Sequence, residues 1–337
     1  MSVSILICCH NAAQRLPATL EHLRAQRECS GIDWEIVLVD NGSSDGSSEV
    51  AAKLLAAAPA PFTILHEPRP GKTNAFLTGL ARCRHEFISI VDDDNWVSQT
   101  WVRDVDVFLT AHPEVGIVGS LNEPVFETPA PEWFWKVPGH YACGHHSVGA
   151  GDVTDSIGFV FGAGATFRMA AWKQLCAAGF SFYTTTIRGK GGCAGEDLEL
   201  CAAIRANGWR IYFEPGLTLR HFMPATRITW EQARLHARGL GTSALVIDPY
   251  CISAGPGRKE ARLGRWRQTW QWQAIAKLRA LCRRGFFPLK LWRAREGDVT
   301  VLALEMLLGA LGRILNERHR YTRHLRNIAG AAWRTTG

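Results

Sequence analysis

Four short apolar runs rich in β-branched residues, "SVSILICC" (2–9), "WEIVLVD" (34–40), "FTILHEP" (62–68) and "HEFISIVD" (85–92), alternate with amphipathic segments such as "AQRLPATLEHLRAQ" (13–26). A near-continuous apolar strand between helical-period segments has both faces covered, which is the pattern of a parallel sheet in an α/β domain. In such sheets ligands bind beyond the carboxyl ends of the strands. The polar clusters "CCHN", "VDNGSSDGS" and "VDDDNW" all fall there. The expected fold is therefore a mostly parallel, Rossmann-like sheet flanked by helices, with its polar residues gathered on one edge.

Beyond residue 120 the pattern loosens. "NEPVFETPAPEWFWKVPGHYACGHH" (122–146) is rich in turn residues and aromatics and reads as a long loop. "GFVFGAGATFRMAAWKQLCAAG" (158–179) reads as strand then helix, and "GEDLELCAAIRANGWRIYFEPG" (195–216) as an acid-led helix ending at Asn207-Gly208 before another strand. After about residue 255 the character changes. "RLGRWRQTWQWQAIAKLRALCRR" (262–284) spaces Leu263, Trp266, Trp270, Ala274, Leu278 and Leu281 as on a helix, with arginines between them. "VTVLALEMLLGALGRIL" (299–315) is apolar but interrupted by Glu305 and short of the roughly 20 residues of a spanning helix, so a core or interfacial helix is expected.

Charge follows the same division. Residues 255–337 hold 18 Lys+Arg against 5 Asp+Glu, whereas residues 1–254 hold 20 against 26. The net charge of +7 is thus a property of the tail, and an acidic partner surface, lipid or nucleic acid, is the natural counterpart. The ten cysteines form neither CxxC pairs nor a disulfide ladder, and the N-terminus reads as a first strand rather than a signal peptide. A reducing, cytoplasmic setting is expected.

Asp92, Asp93 and Asp94 pose a physical problem, because three adjacent like charges repel one another. A divalent cation with a taste for hard oxygen ligands would relieve it. On an extended segment Asp92 and Asp94 would share a side and Asp93 would face away. The alternative is that Asp94 or Asn95 caps a helix starting near Ser98 while the other carboxylates are solvated. Asp40, ahead of a Gly/Ser turn, can address a nucleoside hydroxyl or base edge, or it can close an Asx turn before "SSEVAAKLLAA". Glu196 and Asp197 follow the glycine-rich "RGKGGCAG" (188–195) and supply either a general base or acids favoured by a helix N-terminus.

Taken together, "SILICCHN", "IVLVDNGSSDGS", "GKTNAFLTG", "VDDDNW" and "GEDLEL" resemble the family 2 glycosyltransferases of GT-A fold, over roughly residues 1–235. The resemblance implies a donor-binding half at 1–120, an acceptor-binding and catalytic half at 121–250, and a basic, Trp-rich helical region at 251–337. It implies that His10, Asn11, Asp40, Lys72, Asp92 and Asp93 attend the nucleotide sugar. Asp94, with His221 of "TLRHFMP", would bind Mn²⁺ or Mg²⁺; the alternative for His221 is a satisfied strand-end histidine. Asp197, with Glu196 second to it, is then the catalytic base of an inverting transfer from a UDP-type donor to a saccharide or lipid-linked hydroxyl. Polysaccharide or glycoconjugate synthesis is the implied setting.

Trp133, Phe134, Trp135 and Tyr141 offer a wall for a sugar ring or lipid, or else pin the loop to the domain. The basic tail suits an anionic inner-membrane surface, or it caps the catalytic domain. A non-catalytic nucleotide-sugar or nucleic-acid binding protein is the competing class. Few aromatic-basic clusters lie outside the tail, so nucleic acid is not expected as a partner. Three other motifs fail: "RPGKTNA" has His66 where a phosphate loop needs glycine, "GLGTSA" (239–244) follows a helical stretch rather than a strand, and "CGHH" (143–146) lacks a second Cys/His pair.

Overall fold

The computed structural model describes residues 2–145, 149–184, 195–252, 269–285 and 295–334. The glycine-rich 188–194, together with Leu263 and Trp266 of the tail, lies outside the described residues. Two compact units emerge. Unit one comprises Met1–Val125, Ala142–Ala177 and Trp209–Met223, and unit two Phe126–Tyr141, Ala178–Gly208 and Pro224–Gly337.

Unit one is built on the sheet foreseen from the apolar runs. Strands β1 (Ser2–Cys9), β2 (Asp33–Asp40), β3 (Phe62–His66) and β4 (Phe87–Ile90) alternate with helices α1 (Leu16–Arg24), α2 (Ser47–Leu55) and α3 (Lys72–Leu80). The four strands lie side by side in the order β3-β2-β1-β4, all parallel, with Cys9 opposite Asp40 and Asp40 opposite His66. β1 runs through the middle: Val3, Ile5, Ile7 and Cys9 bury one face, while Leu6 meets α3 at Gly79, where an added Cβ would stand 2.3 Å from the Leu6 side chain. Because the chain winds outward from β1 to β3 and then crosses back to β4, the order reverses beside β1. That switch point is where an open α/β sheet leaves a crevice.

The sheet continues with antiparallel strands: β5 (Asn95–Val97), β6 (Val115–Phe126), β7 (Gly151–Asp152), β8 (Thr166–Arg168) and β9 (Arg210–Met223) extend it as β4-β8-β6-β9-β5, with β7 on β9. Helix α4 (Trp101–Ala111) follows β5, and α5 (Met169–Ala177) follows β8. The strand read from "GFVFGAGATFR" is confined to its last three residues. Gly164 has φ +75°, and a Cβ there would sit 2.2 Å from the Ser120 hydroxyl, so the backbone turns where the apolar pattern alone reads as extended.

Unit two is helical: α6 (Glu196–Ala206), α7 (Trp230–Thr242), α8 (Ala244–Ile252), α9 (Trp270–Arg283), α10 (Val299–Asn316) and α11 (Arg318–Ala329). It has its own core, in which Leu245, Ala274, Leu281, Leu304, Leu311, Ile314, Tyr321 and Leu325 come together. α6 ends at Asn207 as read from the sequence. Of the tail stripe, Ala274 and Leu281 are buried and Trp270 packs on the core, whereas Leu278 is 47% exposed.

α10 has the length and composition to cross a membrane, with a mean hydropathy of 1.6, and 44% of it is buried within the chain. The interrupting Glu305 is buried. Its Oε1 accepts from Arg234 Nη2 at 2.8 Å and its Oε2 from Arg238 Nε at 2.8 Å, both arginines belonging to α7. Gly241 and Gly309 explain how the two helices come so close. A Cβ on Gly241 would lie 1.9 Å from the Met306 carbonyl oxygen, and one on Gly309 would lie 2.0 Å from that of Arg238. The second glycine of "GLGTSA", Gly241, therefore serves a helix crossing.

Gly309→Ala is expected to destabilise the chain by roughly 2 kcal/mol or more, because the facing backbone cannot retreat as a side chain would. Gly312→Ala, one turn further along α10 with nothing within 4 Å of its Cβ position, should instead stabilise it by up to about 1 kcal/mol. Urea unfolding of the two variants measures the contrast.

Candidate active site

The carboxyl ends of β1, β2 and β3 carry three loops that are stitched to one another. After β1, His10 Nδ1 lies 2.9 Å from the Asn41 carbonyl oxygen, and Asn11, at φ +48°, accepts the Ser44 N–H on Oδ1 at 2.9 Å while donating its own N–H to Ser43 Oγ. Ala13 N–H donates to Asp45 Oδ2 at 2.9 Å. After β2, Asp40 is buried and closes the Asx-type turn, accepting from Ser43 N–H at 2.8 Å and Ser48 Oγ at 2.6 Å. Burial alone would raise its pKa, but these hydrogen bonds hold the carboxyl below its ordinary range. The adjacent Asn41 secures the third loop: its Nδ2 donates to the carbonyls of Glu67 and Arg69, and its Oδ1 accepts the Gly71 N–H. Lys72 then opens α3 at the rim of the crevice.

Residues 92–95 form a tight turn rather than an extension of β4. Asn95 N–H donates to the Asp92 carbonyl at 3.0 Å, and the buried Asn95 side chain accepts the Asp92 N–H and donates to Asp94 Oδ1 at 3.0 Å. The alternating-face argument for Asp92 and Asp94 thus gives way to turn geometry. Helix capping is not the role of Asp94 or Asn95 either, since α4 starts later and its N-cap residue is Thr100.

Each of the three carboxylates has a different partner, and two of the partners are cations of the chain itself. Lys72 Nζ lies 2.7 Å from Asp92 Oδ1. Arg15 grips Asp93 with Nε on Oδ1 at 2.7 Å and Nη2 on Oδ2 at 2.8 Å. Burial nevertheless pushes the Asp93 carboxyl up to about 6, with the charges of Asp94 and Asp92 adding to the rise against the pull of Arg15. Asp94 Oδ1 faces His221 Nε2 at 3.4 Å.

His221 arrives there because β5 pairs with β9, placing Asn95 opposite His221, and because Phe222 N–H donates to the Asp94 carbonyl at 2.9 Å. Trp96 locks this pairing, stacked on Phe222 with Arg220 over its ring. Behind the imidazole, Cys143 Sγ lies 3.8 Å from His221 Nδ1. The buried Asn122 holds that segment in place through the Ala142 carbonyl and the Gly144 N–H.

Among the described residues no group of three or more His, Cys, Asp and Glu side chains is arranged to hold a metal ion. The pair Asp94 and His221 does fit a partial site: one carboxylate oxygen and one imidazole nitrogen facing each other, the histidine buried and the aspartate half-buried, would suit Mn²⁺ or Mg²⁺ with the remaining positions filled by phosphate and water.

Unit two carries Glu196 and Asp197 in the first turn of α6. Asp197 Oδ1 accepts the Leu198 N–H at 2.8 Å and Glu196 Oε2 the Gly195 N–H at 3.1 Å. The third acid of the motif, Glu199, is fully buried and anchors the turn. It accepts from Tyr183 N–H at 2.8 Å, Thr184 N–H at 3.1 Å and Tyr250 Oη at 3.2 Å. Burial pushes its carboxyl up to about 7. Of the aromatic loop, Trp133, Phe134 and Tyr141 are buried and pin the segment within unit two, while Trp135 is 59% exposed.

Arg15, Asn95, Cys143 and Glu199 carry much of this arrangement and were not foreseen. For Asn95 and Glu199 the signal was present: a short polar residue after an acidic run, and an acid one helical turn into an otherwise solvent-facing start.

A GT-A sheet with these loops defines a class, and comparison with known proteins agrees. The mannosyltransferase PcManGT from Pyrobaculum calidifontis, solved with GDP-Man and Mn²⁺, superposes with a TM-score of 0.58 at 18% identity, covering 94% of this chain and 87% of that one. TarS 1–349 of S. aureus gives 0.50 at 14% identity, over 96% and 92%. The model of the family described as Glycosyl transferase family 2 matches residues 4–175, and the chain belongs to that family. Curated relatives match over shorter stretches. An uncharacterised glycosyltransferase of Nostoc sp. is 32% identical over 123 residues, 36% of this chain and 37% of that one. The undecaprenyl-phosphate 4-deoxy-4-formamido-L-arabinose transferase of Pseudomonas syringae is 33% identical over 95 residues, 27% and 28% of the two. The matched region thus spans about a third of the length of these relatives.

Glu199 makes stability depend on pH with a definite sign. Its folded-state pKa of about 7 stands above the ordinary glutamate value of 4.5, so the folded chain binds the extra proton between those values, and stability falls as pH rises through that window. Urea unfolding should show the wild type losing roughly 2–3 kcal/mol more between pH 5 and pH 8 than Glu199→Gln does.

Proposed function

We propose that the chain transfers a sugar from a nucleotide-diphosphate sugar, with a uridine-type base, to a hydroxyl of a saccharide or lipid-linked acceptor, inverting the anomeric centre. The observation that carries this reading is the convergence of Asp40, Lys72 and Asp92–Asp94 with His221 on the crevice at the switch point of the sheet. Residues 1–120 form the donor half and 121–250 the acceptor and catalytic half.

In this reading His10, Asn11 and Asp40 receive the nucleoside, Asp92 and Asp93 order the ribose side of the turn, and Lys72 offers its ammonium to the diphosphate. Asp94 and His221 would hold Mn²⁺ or Mg²⁺, which when bound offsets the charge gathering on the departing diphosphate. Asp197, with Glu196 as the lesser candidate, accepts the proton of the acceptor hydroxyl as that oxygen bonds to the anomeric carbon. The bond to the diphosphate breaks on the opposite face, and the nucleoside diphosphate leaves with its electron pair. The role of Asp197 rests on its place in the motif.

Lipid-linked acceptors are favoured by the relative whose name includes undecaprenyl phosphate, and by the surface of the tail. α9 exposes Ile275 and Leu278 beside Arg279, whose guanidinium lies over the Trp272 ring at 5.3 Å. α11 exposes Arg318, Arg320, Arg323 and Arg326. Apolar side chains among arginines suit the interface of an anionic bilayer, so a peripheral site on the inner face of the membrane follows.

Two measurements test the proposal. A panel of UDP- and GDP-sugars, assayed for release of nucleoside diphosphate with Mn²⁺, should identify one donor, and Asp94→Asn and Asp197→Asn should each reduce that release at least a hundredfold; unchanged rates in Asp197→Asn would remove it as the base. Flotation with vesicles containing phosphatidylglycerol should carry the full chain upward and leave Ile275→Glu/Leu278→Glu below.

A further inference from the structure

Arg15 occupies a position that a cation should avoid. It is the N-cap residue of α1, and its side chain caps no N–H there. At a helix N-terminus the backbone dipole opposes positive charge. Its guanidinium turns away from the helix and fills its donors elsewhere. Nε and Nη2 take both oxygens of Asp93, Nη1 donates to the Asn11 carbonyl at 3.0 Å, and Nη2 also donates to the His10 carbonyl at 3.2 Å. The left-handed backbone of Asn11, at φ +48°, belongs to the short loop that presents these carbonyls.

One side chain thus fastens two loops that are 78 residues apart in sequence at its Asp93 contact. The first presents His10 and Asn11, laced to the turn after Asp40. The second is the turn in which Asp93 is flanked by Asp92 and Asp94, so its position cannot shift without moving both neighbours. The planar fork of arginine suits this task, because it binds a carboxylate through two parallel bonds and still has donors left for carbonyls.

We propose that Arg15 is a positioning residue that couples the nucleoside-binding loop to the cation-binding turn, making nucleotide and divalent cation bind cooperatively. This rests on the donor-site reading given above. With the guanidinium in place the two loops are ordered together, so the ligand that orders one has already met part of the ordering cost of the other. Without it that share of the coupling is lost, and the contact between cation and diphosphate is what remains. Couplings of this kind run from about 5- to 150-fold in affinity.

Isothermal titration of the full chain with UDP and with GDP, each with and without Mn²⁺, tests the idea in wild type, Arg15→Lys, Arg15→Gln, Asp93→Asn and the Arg15→Gln/Asp93→Asn double variant. Comparing variants cancels the association of Mn²⁺ with the nucleotide in solution. In the wild type, Mn²⁺ should tighten one nucleotide at least tenfold. Arg15→Gln and Asp93→Asn should each lower that gain at least threefold, the double variant should lose no more than either single one, and Arg15→Lys should fall between. Should Arg15→Gln fail to fold, Arg15→Lys and Asp93→Asn carry the comparison.

The inference is overturned if these variants keep the wild-type gain, or if they weaken nucleotide binding equally with and without Mn²⁺. A wild type that binds neither nucleotide under either condition would instead remove the donor-site reading itself, and the coupling with it.

Discussion

Three consecutive carboxylates in a largely buried turn, Asp93 deepest, set the terms for everything around them. Charges so close in a medium of low effective dielectric repel strongly, and a folded chain can hold them only by giving each a partner. Here the partners come from three directions: Lys72 from the start of α3, Arg15 from the start of α1, and His221 with Asn95 from the pairing of β5 and β9. A bound cation therefore is not required to hold Asp92 and Asp93 together. In the proposed donor site the cation would sit at Asp94, where the partner is an imidazole rather than a fixed positive charge.

The scaffold half of this was legible in sequence because its physics is local. Near-continuous β-branched runs and period-3.6 segments located the four parallel strands and their helices, and the rule that ligands gather at strand ends placed Asp40 and the acidic run on one crevice. What could not be read depends on contacts between distant residues. Nothing near Arg15 announces Asp93, nothing near Cys143 announces His221, and the reach of Asn41 to residues 67–71 is a consequence of strand order. One local misjudgement, treating residues 92–94 as extended, came from ignoring the short amide at Asn95, which draws the backbone into a turn; another, reading 158–165 as strand, overlooked the turn at Gly164.

The helical unit offers a parallel lesson. Glu305 looked like an interruption in an apolar run and the glycines of "GLGTSA" like a fragment of a nucleotide motif. Glu305 and Gly241 belong to one packing solution, in which α7 and α10 meet backbone to backbone and two partly exposed arginines of α7 pair the buried carboxylate that the close approach would otherwise strand. Glu199 does comparable work beside the proposed base, satisfying two backbone N–H groups and a tyrosine hydroxyl so that the first turn of α6 is held in one conformation.

The cross-strand pairing of Asn95 with His221 also limits how relatives of this chain can diverge in length. Side chains on a strand alternate between faces, so inserting or deleting a single residue within β9 ahead of His221 would turn the imidazole to the other side of the sheet. Length variation should accordingly collect in the connections before Arg210, while the spacing from Arg210 to Met223 stays constant wherever the histidine is kept.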